Sequence, residues 1–190
     1  MRKATALIGA LVLAFVLSAC GTSGSEPDPS SSSAISTPAP SLVPPAPGTE
    51  IKAIDPSFYD VGFSEFLFRA GDGPVWCTIN ADEKCALCEQ NEAAAEYAPV
   101  PTPDDCQGSF GYQLKLYEDP TNSTLENGVA AGFMCSGGYY SDPSVAQTLN
   151  NGESITVGDI KCYVSEYTAR CDNSNEQYIA LGAKVWAAKN

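Results

Sequence analysis

The chain has 190 residues, of which 44% are hydrophobic and 17% charged, with a formal net charge of −13. Acidity on this scale argues against nucleic acid and against anionic lipid headgroups as partners. The chain contains no histidine, which removes Ser-His-Asp and Cys-His catalysis and the commonest zinc ligand.

Arg2 and Lys3 supply a positive start, and Leu7 to Leu17 form an apolar core of eleven residues. That is a secretory signal, short of the roughly 20 residues of a spanning helix. Leu17-Ser18-Ala19-Cys20 then resembles the lipobox of bacterial lipoproteins, which implies a diacylglycerol on the Cys20 sulfur and a new N-terminus there. The alternatives are an uncleaved anchor or an ordinary cleavage just before Cys20. Losing residues 1–19 removes Arg2 and Lys3, leaving 8 basic against 23 acidic residues and a formal charge of −15. The expected location is the extracytoplasmic face of the cell membrane, held there through lipid on Cys20.

Residues 20–50 read as the lipidated cysteine followed by a disordered tether. Positions 21–50 hold 8 Ser and 7 Pro, with almost nothing to bury against the entropy of ordering. As coil the tether spans roughly 30 Å, or up to about 90 Å if drawn into polyproline II.

Residues 51–190 suit one globular domain carrying both tryptophans and all nine tyrosines. Apolar residues come in short runs broken by Gly, Pro, Asp and Asn, which predicts strands and turns. Ser64–Arg69 ends at the turn signal Gly71-Asp72-Gly73-Pro74. Val75, Cys77 and Ile79 alternate with Trp76 and Thr78; Tyr112, Leu114 and Leu116 alternate with Gln113 and Lys115. Ile155 and Val157 precede Gly158-Asp159, after which Ile160, Cys162 and Val164 share a face. Tyr178–Ala180 and Lys184–Ala187 close the chain. Asp82 to Tyr97 is the exception, with Asp82 as an N-cap and Ala93-Ala94-Ala95 favouring a short helix within 89–97.

Two stretches echo each other. Val75–Ile79 leads through a polar turn to Cys85, and Ile160–Val164 leads through another to Cys171. The cysteine separations, eight and nine residues, suit hairpins whose facing Cα atoms lie about 4.5–5.5 Å apart. With Cys20 taken by lipid, seven cysteines remain and one is spare. Six cysteines allow about 15 connectivities; spacing favours Cys77–Cys85, Cys106–Cys135 and Cys162–Cys171, with Cys88 spare. Pairing between the two repeats is the alternative.

Other chemistry is faint. Cys85-Ala86-Leu87-Cys88 is formally a C-x-x-C, but Asp82, Glu83, Glu89 and Glu92 surround it with only Lys84 to stabilise a thiolate. Asp104-Asp105 and Glu118-Asp119 supply carboxylates of the kind a glycosidase needs in pairs. Asp172-Asn173-Ser174-Asn175-Glu176 is faintly like a calcium loop without its central glycine, and reads as a hairpin turn. Gly137-Gly138-Tyr139-Tyr140 can offer aromatic faces to a sugar or pack over a neighbouring strand.

Leu149-Asn150-Asn151-Gly152-Glu153-Ser154-Ile155-Thr156-Val157-Gly158-Asp159-Ile160-Lys161-Cys162 fits the pattern L-x-x-G-x-[ST]-[IV]-x-V-G-x-[IF]-x-C. Together with the order of cysteines over 66–182, it resembles a family of secreted or lipid-anchored proteins of unknown function from high-GC Gram-positive bacteria. The chain departs from that family's S-P-S-G-N-I-x-C, having Ala70-Gly71-Asp72-Gly73-Pro74-Val75-Trp76-Cys77, and Cys88 is extra to its six cysteines. The resemblance implies an envelope location and three disulfides, and it carries over no catalytic residue.

The expectation is a mainly β, small disulfide-rich antiparallel sheet domain with room for two related hairpins and at most a short helix. Its expected role is non-enzymatic, binding an envelope protein or glycan, with no metal or other cofactor. The alternative is an envelope enzyme, hydrolysing through carboxylates or using Cys85 and Cys88 in thiol-disulfide chemistry.

Overall fold

The period-two runs become the longer of thirteen strands in the computed structural model, which describes residues 50–190. The expected signal peptide, Cys20 and all but the last residue of the tether lie outside the described residues. In chain order the strands are β1 (Lys52–Ala53), β2 (Asp60–Gly62), β3 (Glu65–Ala70), β4 (Trp76–Asn80), β5 (Cys85–Glu89), β6 (Gln113–Tyr117) and β7 (Ala131–Phe133). They continue as β8 (Gln147–Leu149), β9 (Glu153–Val157), β10 (Ile160–Ser165), β11 (Thr168–Asp172), β12 (Tyr178–Leu181) and β13 (Trp186–Lys189). Among the described residues no helix is long and apolar enough to cross a membrane.

The strands form two largely antiparallel sheets. One runs β1-β9-β10-β11-β12-β13; the other runs β2-β3-β4-β5-β6-β7, with β8 added beside β3. Among the described residues, only β1 with β9 and β8 with β3 pair in parallel. One core lies between the sheets. Phe68, Ile79, Leu114 and Leu116 from the second sheet meet Ile155, Ile160, Ile179 and Leu181 from the first, all buried. Each such side chain contributes roughly 1.5–3 kcal/mol by leaving water.

The two echoing hairpins sit in different sheets. In β10–β11 the register places Cys162 opposite Cys171, and they are bonded with Cα atoms 4.0 Å apart. Cys106–Cys135 is likewise bonded.

The first hairpin corrects the expected pairing: Cys77 is bonded to Cys88, and among the described residues Cys85 is the free thiol. The reason is register. The turn spans residues 81–84, so Asn80 faces Cys85 and Cys77 faces Cys88. Asn80 holds this turn by accepting the Glu83 N–H at 2.8 Å, and Lys84 takes a left-handed φ of 52°. Pairing Cys77 with Cys85 needs a slip of three residues, and an odd slip turns every side chain to the other face. With β4 held in place, Ala86 and Cys88 of β5 would then leave the core they occupy.

The expected helix is also corrected. Cys85–Glu89 is a central strand between β4 and β6, and only a single 3₁₀ turn, Glu92–Ala94, follows it. Ala93-Ala94-Ala95 lie beyond the strand with no buried face for a helix to pack on, alanine propensity alone is a weak preference, and the prolines from Pro99 onward stop any extension.

Candidate functional site

β4 and β5 are buried on both faces along their whole length. The inner face meets the other sheet. The outer face is covered by residues 134–146, a strap from β7 to β8 across the second sheet. Its anchor is Glu89, which points outward because Ala86 and Cys88 point in.

Glu89 is fully buried. Its Oε1 accepts from the Tyr140 N–H at 2.8 Å and from Gln113 Nε2 at 2.7 Å. Its Oε2 accepts from Trp76 Nε1 at 3.1 Å and from the Ser141 N–H at 3.2 Å. Burial pushes the Glu89 carboxyl up from its ordinary range, against those four hydrogen bonds, which stabilise the anion. A buried carboxylate without partners is very costly, so the strap and Glu89 need each other.

Further ties fix the strap. Thr78 and Ser141 share a hydroxyl hydrogen bond of 2.5 Å. Arg69 Nη2 donates to the Pro143 carbonyl at 2.6 Å, and the Tyr140 hydroxyl donates to Glu65 Oε1 at 2.6 Å. At its start, Ser136 pairs through its backbone with Ser109, beside the Cys106–Cys135 bond. That bridge needs Gly108, where a Cβ would stand 2.0 Å from the Ser136 carbonyl oxygen.

Between the strap, the end of β5 and the start of β6 lies a cleft of about 220 Å³. Gln90, Gln113 and Ser136 are its buried polar residues. Tyr112 and Tyr139 bring aromatic rings, and Glu92 is the one charged residue of the lining. Tyr139 packs edge-on to Trp76, with ring centroids 5.2 Å apart, and remains 56% exposed. Burial and the nearby Glu92 carboxylate push the Tyr112 hydroxyl up. Gln90 Nε2 donates to the Tyr97 hydroxyl at 2.7 Å, and that hydroxyl donates to the Gly111 carbonyl at 2.6 Å. Gln90 Oε1 is buried with no hydrogen-bond partner.

A larger cleft, of about 490 Å³, lies among three hairpin turns, with Asp72, Glu166, Tyr167 and Lys184 in its wall. Size favours it, chemistry does not: no buried polar side chain lines it. The smaller cleft is the candidate site.

The residues singled out in the sequence are dispersed. Cys85 and Cys88 project from opposite faces of β5, and Cys88 is bonded to Cys77, so they form no dithiol couple. Cys85 packs with Tyr117 and Leu125, and burial pushes its thiol up to about 12. Asp104 and Asp105 are exposed. Asp119 caps the turn Pro120–Asn122, accepting the Thr121 N–H at 2.8 Å; Glu118 Oε1 accepts the Asp159 N–H at 3.0 Å. Asp172 pairs with Arg170, while Asn173 wires the β11–β12 turn by accepting from the Asn175 and Gln177 N–H groups, both at 3.0 Å. Among the described residues, the sulfurs of Cys77, Cys88 and Cys171 lie within 4.8 Å of one another, but all three are in disulfides and offer no thiolate to a metal. Of the motifs, only Gly137-Gly138-Tyr139-Tyr140 reaches the cleft. Glu89, Gln90 and Gln113 were not singled out; the one signal was a carboxylate two positions along from Leu87, on the same face of a strand.

No family model, curated protein or solved structure matches the chain. A functional reading therefore rests on its own residues.

Proposed function

We propose that this chain is a lipid-anchored, extracytoplasmic binding module of the cell envelope, without catalytic activity, presenting the cleft beneath the strap. The lipobox-like Leu17–Cys20 and the Ser/Pro-rich tether support the anchor and the reach. Three disulfides suit an oxidising compartment.

The observation that carries the binding reading is the buried Glu89, which grips two strap amides and two side chains under the cleft wall. A recess held that firmly is preformed, so a ligand need not order it on binding. Hydrolysis finds less support, since Glu89 is sealed from solvent and Glu92 is the one carboxylate among the lining residues.

The test uses full-length protein in its own envelope, wild type beside Tyr139→Ala. Tyr139 is mostly exposed, so its loss should leave the fold intact. Recovery of one specific envelope component by the wild type, lost in Tyr139→Ala, is the expected result. Equal recovery by both would remove the cleft from the reading. Separately, Cys20→Ala should release the protein from membranes; unchanged retention would sink the anchor.

A further inference from the structure

We infer that the cleft beneath the strap takes a single uncharged, hydroxyl-bearing ring, one saccharide unit of an envelope glycan. This deepens the binding reading above and rests on it. Four observations select that chemistry.

The first is Gln90, the most buried of the lining residues at 1% exposure. Its amide is fixed in orientation, because Nε2 feeds the Tyr97 hydroxyl, whose own proton is committed to the Gly111 carbonyl. Turning the amide over would leave its nitrogen without an acceptor. Oε1 is therefore held as an acceptor with no donor, a costly state for a buried polar atom. A hydroxyl donor is the group it lacks, and the Gln90 side chain that carries it lines the cleft.

The second is charge. No Lys or Arg lines the cleft, and Glu92 supplies its one ionic group. A phosphate, sulfate or carboxylate ligand would find no counterion and would be repelled by a chain of net charge −13.

The third is surface. Tyr139 and Tyr112 place two rings in a lining otherwise made of amides, hydroxyls, Gly138 and the Glu92 carboxylate. Rings beside hydrogen-bonding groups suit a molecule with C–H faces and a hydroxyl edge, which a sugar ring has and a purely apolar ligand does not.

The fourth is size. A volume near 220 Å³ falls below the roughly 300 Å³ at which drug-sized pockets begin. One ring fits, and the rest of a polymer would run on past the exposed rim at Tyr139 and Glu92.

The experiment titrates the full chain in mild detergent with chitotriose, maltotriose and neutral oligosaccharides released from the host envelope by mild acid. Deacetylated, cationic chitotriose and a sulfated trisaccharide serve as charged counterparts. Saturation-transfer NMR reports contact, and Trp76 emission reports the site, since its ring touches Tyr139. The expected result is saturable binding of a neutral sugar, weakened roughly tenfold by Tyr139→Ala and by Gln90→Leu, and little changed by Glu92→Gln.

Failure of every neutral sugar to bind, while envelope capture still depends on Tyr139, would overturn the saccharide assignment and leave the binding reading standing. So would selective binding of a charged counterpart. If envelope capture is also indifferent to Tyr139, both fall.

Discussion

Cys88 Sγ lies 3.9 Å from Cys171 Sγ, so the two cross-strand disulfides, one from each sheet, touch in the middle of the core. Each bond closes its own hairpin, and their contact joins the two echoing hairpins across the sandwich. Removing either pair as a double alanine should cost about 3 kcal/mol in the chain-entropy account. Because the sulfurs touch, the two losses should not add; the expected coupling is roughly 0.5–3 kcal/mol. Combining either with loss of Cys106–Cys135, which ties the strap outside the core, should be close to additive. Urea unfolding of the variants measures both, and additivity for the touching pairs would refute the coupling.

Cys85 should be the one thiol of the folded domain, and silent. With its thiol pushed to about 12, its thiolate fraction at pH 8 should be roughly a thousandfold below that of an ordinary cysteine. Iodoacetamide should label Cys85 only after unfolding, and peptide mapping should find Cys77 linked to Cys88. The folded state holds this proton above the ordinary thiol range, so stability from Cys85 is present below about 9 and lost as pH climbs towards 12. Rapid native labelling at Cys85 would contradict the packing.

Glu89→Gln keeps the shape but replaces an acceptor oxygen with an amide donor among four donors. The expected cost is about 2 kcal/mol, with faster hydrogen exchange at the Tyr140 and Ser141 amides. The folded carboxyl titrates above its unfolded value, so its stabilising contribution is complete at acid pH. That contribution declines as pH rises from the ordinary 4.5 through the raised folded value. The variant should lose this part of the pH profile, and an unchanged profile would mean that Glu89 is not the strap's anchor.

Gly108→Ala tests the bridge between strap and loop. A Cβ there would stand 2.0 Å from the Ser136 carbonyl oxygen, so one backbone must move, at about 1–3 kcal/mol. Amide exchange should rise at Ser109 and Ser136 and leave β10–β11 unchanged. Full protection at Ser109 would show that the loop accommodates the methyl.

Phe63 heads the β2–β3 turn with φ of 56° and 95% exposure. Left-handed backbone costs a bulky residue roughly 1–2 kcal/mol, and asparagine tolerates it better. Phe63→Asn should therefore raise thermal stability, by about 1 kcal/mol. A drop would mean that the Phe63 ring makes a contact worth more than the strain.

Much of the β architecture was legible because alternation is a local property. Val75, Cys77 and Ile79, or Ile160, Cys162 and Val164, declare a buried face whatever they pack against. The short strands β1, β2, β7 and β8 were not legible, since two or three residues carry no period and owe their pairing to distant partners. The site was almost hidden. Glu89 read as one more acidic residue near a C-x-x-C, and its four donors come from Trp76, Gln113, Tyr140 and Ser141, scattered along the chain.

By itself, then, the sequence determined the class of fold and the odd number of cysteines, seven, in residues 51–190. Tertiary structure decided which cysteine is odd. Side-chain period tells which residues share a face but not which face each other; that depends on register, set by a four-residue turn held through Asn80. It also decided that an outward face of the sheet is buried, because only the folded chain lays residues 134–146 across it and makes Glu89 an anchor.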